Sequence, residues 1–127
     1  MSRPERYIQV DRRGEVFCVG LSQQRLEEAQ IYELGAELRS LVAEEGCRKL
    51  ALSLGPESPE CLYSVFLAKL ISLQRFLREN GGELVLCQVQ PVVRDIFAAC
   101  GLDNVFPFVP DFEAAVTRWQ QVLPTPS

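Results

Sequence analysis

The stretch SPECLYSVFLAKLISLQRFLRENGG, residues 58–82, predicts a long amphipathic helix around which the other segments are arranged. Ser58 has the side-chain oxygen of an N-cap residue, and Pro59 suits the first helical position because it has no N–H to satisfy. Gly81 tolerates the positive φ that commonly ends a helix. The apolar stripe recurs at steps of three and four residues and consists of Leu62, Phe66, Leu70, Leu73 and Leu77.

The flanking segments alternate between strand and helix patterns. Strands are predicted at 7–10, 16–21, 49–54, 83–89 and 105–109, and the other helices run from about Gln24 to Glu45, from Pro91 to Gly101 and onward from an Asp111 cap. The last helix has an apolar face of Phe112, Val116, Trp119 and Leu123. The polar residues 1–6 are expected to be frayed and the tail 124–127 to be disordered. The order β-β-α-β-α-β-α-β-α favours parallel pairing through right-handed crossovers, with the first two strands as an antiparallel edge hairpin.

Length and composition predict one α/β domain with a single core. The chain has 127 residues, of which 47% are hydrophobic, and its net charge of −4 is interspersed, which argues against a nucleic-acid partner. No apolar run reaches the roughly 20 residues that a membrane-spanning helix needs, and MSRPERYIQV lacks a signal-peptide pattern. The five cysteines form no CxxC pair, which is typical of reduced thiols. We therefore expect a cytoplasmic protein without membrane insertion.

The sequence shows none of the residue patterns that commonly carry catalytic chemistry. The chain contains no histidine, which removes the commonest general base and the usual zinc ligand. There is no GxxxxGK[ST] loop and no GxGxxG after a strand, and Gly81-Gly82 ends a helix instead of starting one. We therefore predict a protein that is not an enzyme and that has no cofactor, no metal and no catalytic residue.

Four single residues each allow a functional and an ordinary interpretation. Cys61 is predicted in the first turn of the 58–82 helix, where the helix dipole would lower its pKa, although an ordinary small residue is the favoured interpretation. Ser58 as a plain N-cap and Ser64 as a plain helix residue are likewise favoured over special roles. Trp119 at helical spacing with Val116 is favoured as a core residue over a stacking platform.

Residues 77–116, LRENGGELVLCQVQPVVRDIFAACGLDNVFPFVPDFEAAV, resemble the STAS domain family, whose fold is that of the bacterial anti-sigma factor antagonists. The pattern LRxxGGxLxLxxxxPxVxxxLxxxGLxxxFxxxxxxEEA is matched at Leu77, Gly81, Gly82, Leu84, Pro91, Val93, Gly101, Leu102, Phe106 and Ala115. The resemblance extends over about residues 7–122. It implies a single STAS-like domain across 1–127, with a mixed sheet of about five strands and four helices. Most of the matching residues specify turns, caps and core, so they indicate the fold more strongly than the function.

The resemblance also implies a module that works by docking on another protein. In signalling members of the family, a Ser or Thr in an Asp-x-Ser-Gly motif opens the central helix. A partner kinase that doubles as an anti-sigma factor phosphorylates this residue and thereby ends the docking. A dianionic group placed in a close-fitting interface beside acidic groups would bring repulsion and a desolvation cost.

This sequence departs from that motif at each of its three fixed positions. Counting back from Gly81-Gly82, the motif falls on Tyr63, Ser64, Val65 and Phe66, so that the acceptor position holds Val65, which has no oxygen to phosphorylate. The acidic residue that the family has at the end of the preceding strand is matched by Ser53, and the loop GPESPE is about two residues longer than usual. We therefore predict a helix that begins a turn early, at Pro59, with Ser64 able to substitute as acceptor only if the register shifted.

The sequence thus predicts a docking module that has lost its phosphoswitch. The expected partner contacts are Ser58, Cys61, Leu62, Tyr63, Ser64 and Phe66, although Phe66 as a core residue is slightly favoured and Tyr63 lies off the apolar stripe. The implied partner is an anti-sigma factor or Ser/Thr kinase, or another STAS-binding protein, and a homodimer is left open. Three alternatives remain, namely an accessory subunit of a transporter ATPase, a scaffold subunit of a signalling assembly and a small-ligand sensor.

Overall fold

The computed structural model describes residues 7–121, which form nine elements in the predicted order. The strands are β1 (Ile8–Arg13), β2 (Val16–Leu21), β3 (Lys49–Ser53), β4 (Glu83–Cys87) and β5 (Phe108–Val109). The helices are α1 (Glu28–Glu45), α2 (Tyr63–Glu79), α3 (Pro91–Ala99) and α4 (Phe112–Gln121). The predictions for residues 1–6, Leu123 and the segment 124–127 lie outside the described residues.

The five strands form one mixed sheet in the order β1-β2-β3-β4-β5. β1 and β2 pair antiparallel, with Val10 opposite Val19, and every later pair is parallel, with Leu50 opposite Leu84 in the β3–β4 pair. Because each crossover moves one strand further in the same direction, right-handed connections bring α1, α2 and α3 to one face of the sheet. The predicted fold class and the edge hairpin are confirmed.

Each face of the sheet has its own apolar layer. Alternate strand residues such as Phe17, Leu50 and Leu84 face α1, α2 and α3. Phe66 of α2 and Phe97 of α3 are buried in the same apolar layer. The residues between them form the opposite face, where α4 packs through Phe112, Ala115, Val116 and Trp119 against Val16, Cys18, Ala51, Val85 and Cys87. Trp119 is therefore a packing residue, as favoured. All five cysteines are free thiols.

The glycine and Asp111 caps are where the sequence predicted them. Gly46, Gly81 and Gly101 have φ values of 73°, 81° and 72° at the ends of α1, α2 and α3. The Asp111 carboxylate accepts a hydrogen bond from the Ala114 N–H at 2.8 Å, which caps the start of α4. No helix between residues 7 and 121 combines the length and apolarity that crossing a membrane requires.

The start of α2 differs from the prediction. The helix begins at Tyr63, with Leu62 as its N-cap residue, and neither Ser58 caps it nor Pro59 opens it. The reason is a long-range pairing, because Glu60 donates its N–H to the Gln24 carbonyl (2.9 Å) and accepts from the Leu26 N–H (2.9 Å). This parallel bridge holds residue 60 in an extended conformation. It also delays α1, which begins at Glu28 and not near Gln24.

One buried polar side chain joins α2 to the sheet. Gln74 is 1% exposed, and its amide nitrogen donates to the carbonyls of Leu84 and Val105, both at 3.0 Å. Its amide oxygen accepts the Leu84 N–H at 2.8 Å. The Gln74 amide therefore bonds to the N–H and the carbonyl of Leu84 as the backbone of an adjacent strand would. Its polar atoms are satisfied although they lie in the core. The predicted strand at 105–109 is paired only at Phe108–Val109.

Candidate partner-binding site

The candidate site is the β3–α2 loop, residues 54–62, together with the first turn of α2. β2, β3 and β4 run parallel, so that the loops after these three strands meet at one edge of the sheet. In open α/β sheets this carboxyl edge is the usual place for binding sites. The neighbours of the β3–α2 loop are the β2–α1 loop, residues 22–27, and the β4–α3 turn, residues 88–90.

The β2–α1 loop holds the second half of the β3–α2 loop. The Gln24 side-chain amide donates to the Ser58 carbonyl at 3.0 Å, in addition to the backbone bridge of Glu60 with Gln24 and Leu26. Ser58 therefore contributes its carbonyl group to this contact. These bonds fix the direction in which the chain enters α2.

The β4–α3 turn holds the first half of the same loop. The Ser53 hydroxyl donates to the Gln88 side-chain oxygen at 2.6 Å and accepts the Gly55 N–H at 3.2 Å. The Gln90 side-chain amide donates to the Pro56 carbonyl. A Cβ atom on Gly55 would approach the Gln88 carbonyl oxygen to 2.6 Å, so that only glycine allows this close contact.

Leu62 and Tyr63 present apolar surface where α2 begins. Leu62 is 53% exposed. It occupies the N-cap position of α2, but its side chain has no atom that can accept a hydrogen bond from the helix. Tyr63 is half-buried, its hydroxyl donates to the Pro59 carbonyl at 2.7 Å, and its ring meets Phe66 edge-on at 5.9 Å between centroids. Burial raises the pKa of Tyr63 to about 12.

The structure corrects two of the predicted site residues. Phe66 is fully buried in the core, so the prediction that it contacts a partner is wrong, and its alternative place in the apolar stripe is confirmed. Cys61 precedes α2 instead of lying in its first turn, and burial raises the pKa of its thiol to about 11. The expectation of a lowered pKa is therefore wrong, because desolvation opposes the thiolate and the dipole argument needs a helical position.

The remaining motif positions are divided between core and surface. Val65 is half-buried and packs against the core, while Ser64 is exposed in the first turn of α2. Gln88 and Gln90 were not singled out by sequence reasoning, and Ser53 was noted only as the match to the family's acidic residue, because polar residues at strand ends have many uses and their contact partners are distant in sequence. Among residues 7–121, no three potential ligands of the His, Cys, Asp or Glu type come together to hold a metal ion.

Comparison with known proteins gives the family. The profile of the STAS domain family matches residues 7–115. The putative anti-sigma factor antagonist BtrV of Bordetella bronchiseptica is 34% identical over 96 residues, which cover 76% of this chain and 80% of that protein. The chain therefore belongs to the STAS domain family, and it is similar in sequence to an anti-sigma factor antagonist.

Solved structures share the fold at low sequence identity. The phosphorylated form of the Bacillus cell fate determinant SpoIIAA superposes with a TM-score of 0.66 at 17% identity, over 88% of this chain and 98% of that one. An RsbS variant of Moorella thermoacetica gives 0.74 at 15% identity, over 91% of this chain and 96% of that one. At these identities the likeness concerns the fold.

Proposed function

We propose that this chain is a non-catalytic docking module of the anti-sigma factor antagonist kind, acting in the cytoplasm. The observation that carries the proposal is the position of Leu62. N-cap positions favour Ser, Thr, Asp and Asn, so that a half-exposed leucine there does nothing for the helix. A large apolar side chain held in a hydrogen-bonded loop is instead suited to filling a pocket on a partner.

The proposed contact surface surrounds Leu62. Cys61 and Tyr63 lie beside it and are half-buried, while Ser58 contributes from the preceding loop and Ser64 from the exposed side of the first turn. Because the loop is fixed by hydrogen bonds to both neighbouring loops, binding requires little further ordering of the chain. The partner class is an anti-sigma factor or Ser/Thr kinase, or another STAS-binding protein, as the similarity to BtrV suggests.

The proposed module has no phosphoswitch at the family's acceptor position. Val65 has no hydroxyl group, and its side chain packs against the core. Phe66 fills the position of the motif glycine and is fully buried. Partner binding is therefore proposed to be constitutive, since a charge that cannot be added at Val65 cannot end the contact.

An affinity capture from lysate of the source organism tests this surface. We expect the wild-type chain to recover one partner reproducibly and the Leu62→Lys chain to lose at least nine-tenths of it. Ala43→Lys is the matched control, because Ala43 is also exposed but lies in the last turn of α1, at the opposite edge of the sheet. Equal recovery by Leu62→Lys and wild type, with unchanged melting midpoints, would exclude this surface.

A further inference from the structure

Gln88 has a backbone conformation that an L-residue with a side chain rarely adopts. Its φ is 54°, and it is the one non-glycine residue with positive φ among residues 7–121. The left-handed region brings Cβ close to the backbone, so glycine is the residue that occupies it without strain. Strain that persists at one position is a reason to ask what the side chain does there.

The side chain of Gln88 orients a buried hydroxyl group. Ser53 is 3% exposed, and its hydroxyl donates to the Gln88 amide oxygen at 2.6 Å. The same Ser53 oxygen accepts the Gly55 N–H at 3.2 Å. A serine has a single hydroxyl hydrogen, so the bond to Gln88 leaves the oxygen lone pairs directed at Gly55. Ser53 is shielded from water, so loss of the Gln88 acceptor leaves its hydroxyl only the Gly55 carbonyl, at the longer distance of 3.4 Å.

The backbone of Gln88 contacts the same loop. Its carbonyl oxygen lies where a Cβ of Gly55 would come within 2.6 Å, and the Leu54 N–H donates to the neighbouring Cys87 carbonyl at 3.0 Å. The Gln88 N–H donates to the Pro110 carbonyl at 3.2 Å, which ties the turn to the segment after β5. The β4–α3 turn is therefore bonded to the segment after β5 on one side and contacts the β3–α2 loop on the other.

We propose that Gln88 is the positioning residue of the docking site. Its left-handed backbone directs the side chain at Ser53, and through Ser53 it holds Gly55 and the rest of the β3–α2 loop in the conformation that meets the partner. This inference rests on the proposed docking function. A loop that is ordered before binding avoids the ordering entropy on association, so that Gln88 would raise affinity through the loop that it orders.

A turn that needed only its backbone shape would be served better by glycine. Gln88→Gly keeps the positive φ and relieves its strain, but it removes the acceptor for Ser53. Gln88→Glu keeps a side-chain oxygen at the same reach and therefore keeps the acceptor. These two variants separate a role of the side chain from a role of the backbone.

Amide hydrogen exchange on the full chain measures the effect without a partner. We expect Gln88→Gly to speed exchange at least tenfold in the β3–α2 loop, with the amides of β3 and α2 unchanged and a melting midpoint no lower than that of the wild type. Gln88→Glu should restore most of the protection, and Gln120→Leu, at an exposed glutamine of α4, should leave exchange unchanged. Wild-type protection in Gln88→Gly, or protection in Gln88→Glu no better than in Gln88→Gly, would overturn the proposal.

Titration against the partner recovered by the wild-type chain tests the consequence for binding. We expect Gln88→Gly to bind about tenfold more weakly than wild type at an unchanged melting midpoint, and Gln88→Glu to recover most of the affinity. If Leu62→Lys loses the partner while Gln88→Gly keeps full affinity, the positioning role fails and the docking surface stands. If Leu62→Lys keeps the partner, the docking function fails, and the exchange measurement alone decides whether Gln88 orders the loop.

Discussion

The Tyr63 hydroxyl donates a hydrogen bond to the Pro59 carbonyl at 2.7 Å, so the first residue of α2 is tied to the loop that precedes the helix. The two partners are four positions apart in the sequence, and only Tyr63 is helical. This side-chain hydrogen bond links the extended segment around residue 60 to the start of the helix. It therefore couples the folding stability of this end of α2 to the shape of the proposed contact surface.

Tyr63→Phe removes this hydrogen bond and keeps the ring against Phe66. We expect a loss of about 1 kcal/mol in the free energy of unfolding, which is typical of a single neutral hydrogen bond. Urea unfolding followed by circular dichroism gives the difference. Tyr63→Ala should lower stability further because it also removes the edge-on ring contact, and two equally stable variants would show that the hydroxyl alone matters.

Of the single substitutions at polar residues of α2, Gln74→Leu should lower the free energy of unfolding most. Leucine is apolar and similar in size, but it leaves the buried Leu84 N–H without its acceptor and removes the Gln74 donor from the Leu84 and Val105 carbonyls, of which Val105 keeps the Arg78 guanidinium at 3.1 Å. We expect a loss of about 3 kcal/mol in the free energy of unfolding, because unsatisfied buried groups keep their full desolvation penalty. Gln120→Leu is the control at an exposed glutamine, and a loss below 1 kcal/mol in Gln74→Leu would contradict the assigned role.

The elements of the fold follow from local patterns that the tertiary structure does not override. Leu70, Leu73 and Leu77 recur at helical spacing and are buried, and Gly81 ends α2 with positive φ. Each of these signals lies within a few residues of the feature it predicts. The order of strands and helices then limits the sheet to few arrangements, because parallel crossovers are right-handed.

The start of α2 could not be predicted because a long-range contact overrides the local helix-start signals there. Ser58 and Pro59 satisfy the local rules for a helix start, but Glu60 pairs with Gln24, which is far away in the sequence. A long-range backbone pairing of this kind leaves no periodic trace in either segment. The same reason hides Gln88, whose importance depends on its contact with Ser53, 35 residues earlier.

Alkaline pH should destabilise the fold through its buried thiols. Burial raises the pKa of Cys47 and of Cys87 to about 12, above the value of 9.0 expected in the unfolded chain. A raised pKa means that the folded state keeps its proton longer, so this stability is complete below pH 9 and is lost as the pH rises toward 12. Each thiol should contribute a loss of about 1.4 kcal/mol between pH 8 and pH 10.

The comparison of Cys47→Ala with Cys100→Ala isolates this pH dependence. Cys47 is buried, whereas Cys100 is exposed at the end of α3. Urea unfolding at pH 8 and pH 10, under reducing conditions, should show a smaller pH-dependent loss in Cys47→Ala than in Cys100→Ala, although Cys47→Ala is less stable at both values. Equal pH-dependent losses in the two variants would show that the Cys47 thiol does not titrate with unfolding.

The wild-type chain should take up no phosphate in the first turn of α2. Val65 has no acceptor oxygen, so incubation with the partner kinase, or a related one, and ATP should leave residues 63–66 unmodified in tandem mass spectrometry. A STAS protein with an intact Asp-x-Ser-Gly motif serves as the positive control for kinase activity. Ser64 is the residue to watch, because its hydroxyl is exposed near the positive end of the α2 dipole, where a phosphate would be stabilised. Phosphate on Ser64 would overturn the loss of the switch, and phosphate on Ser58 would place the switch in the β3–α2 loop.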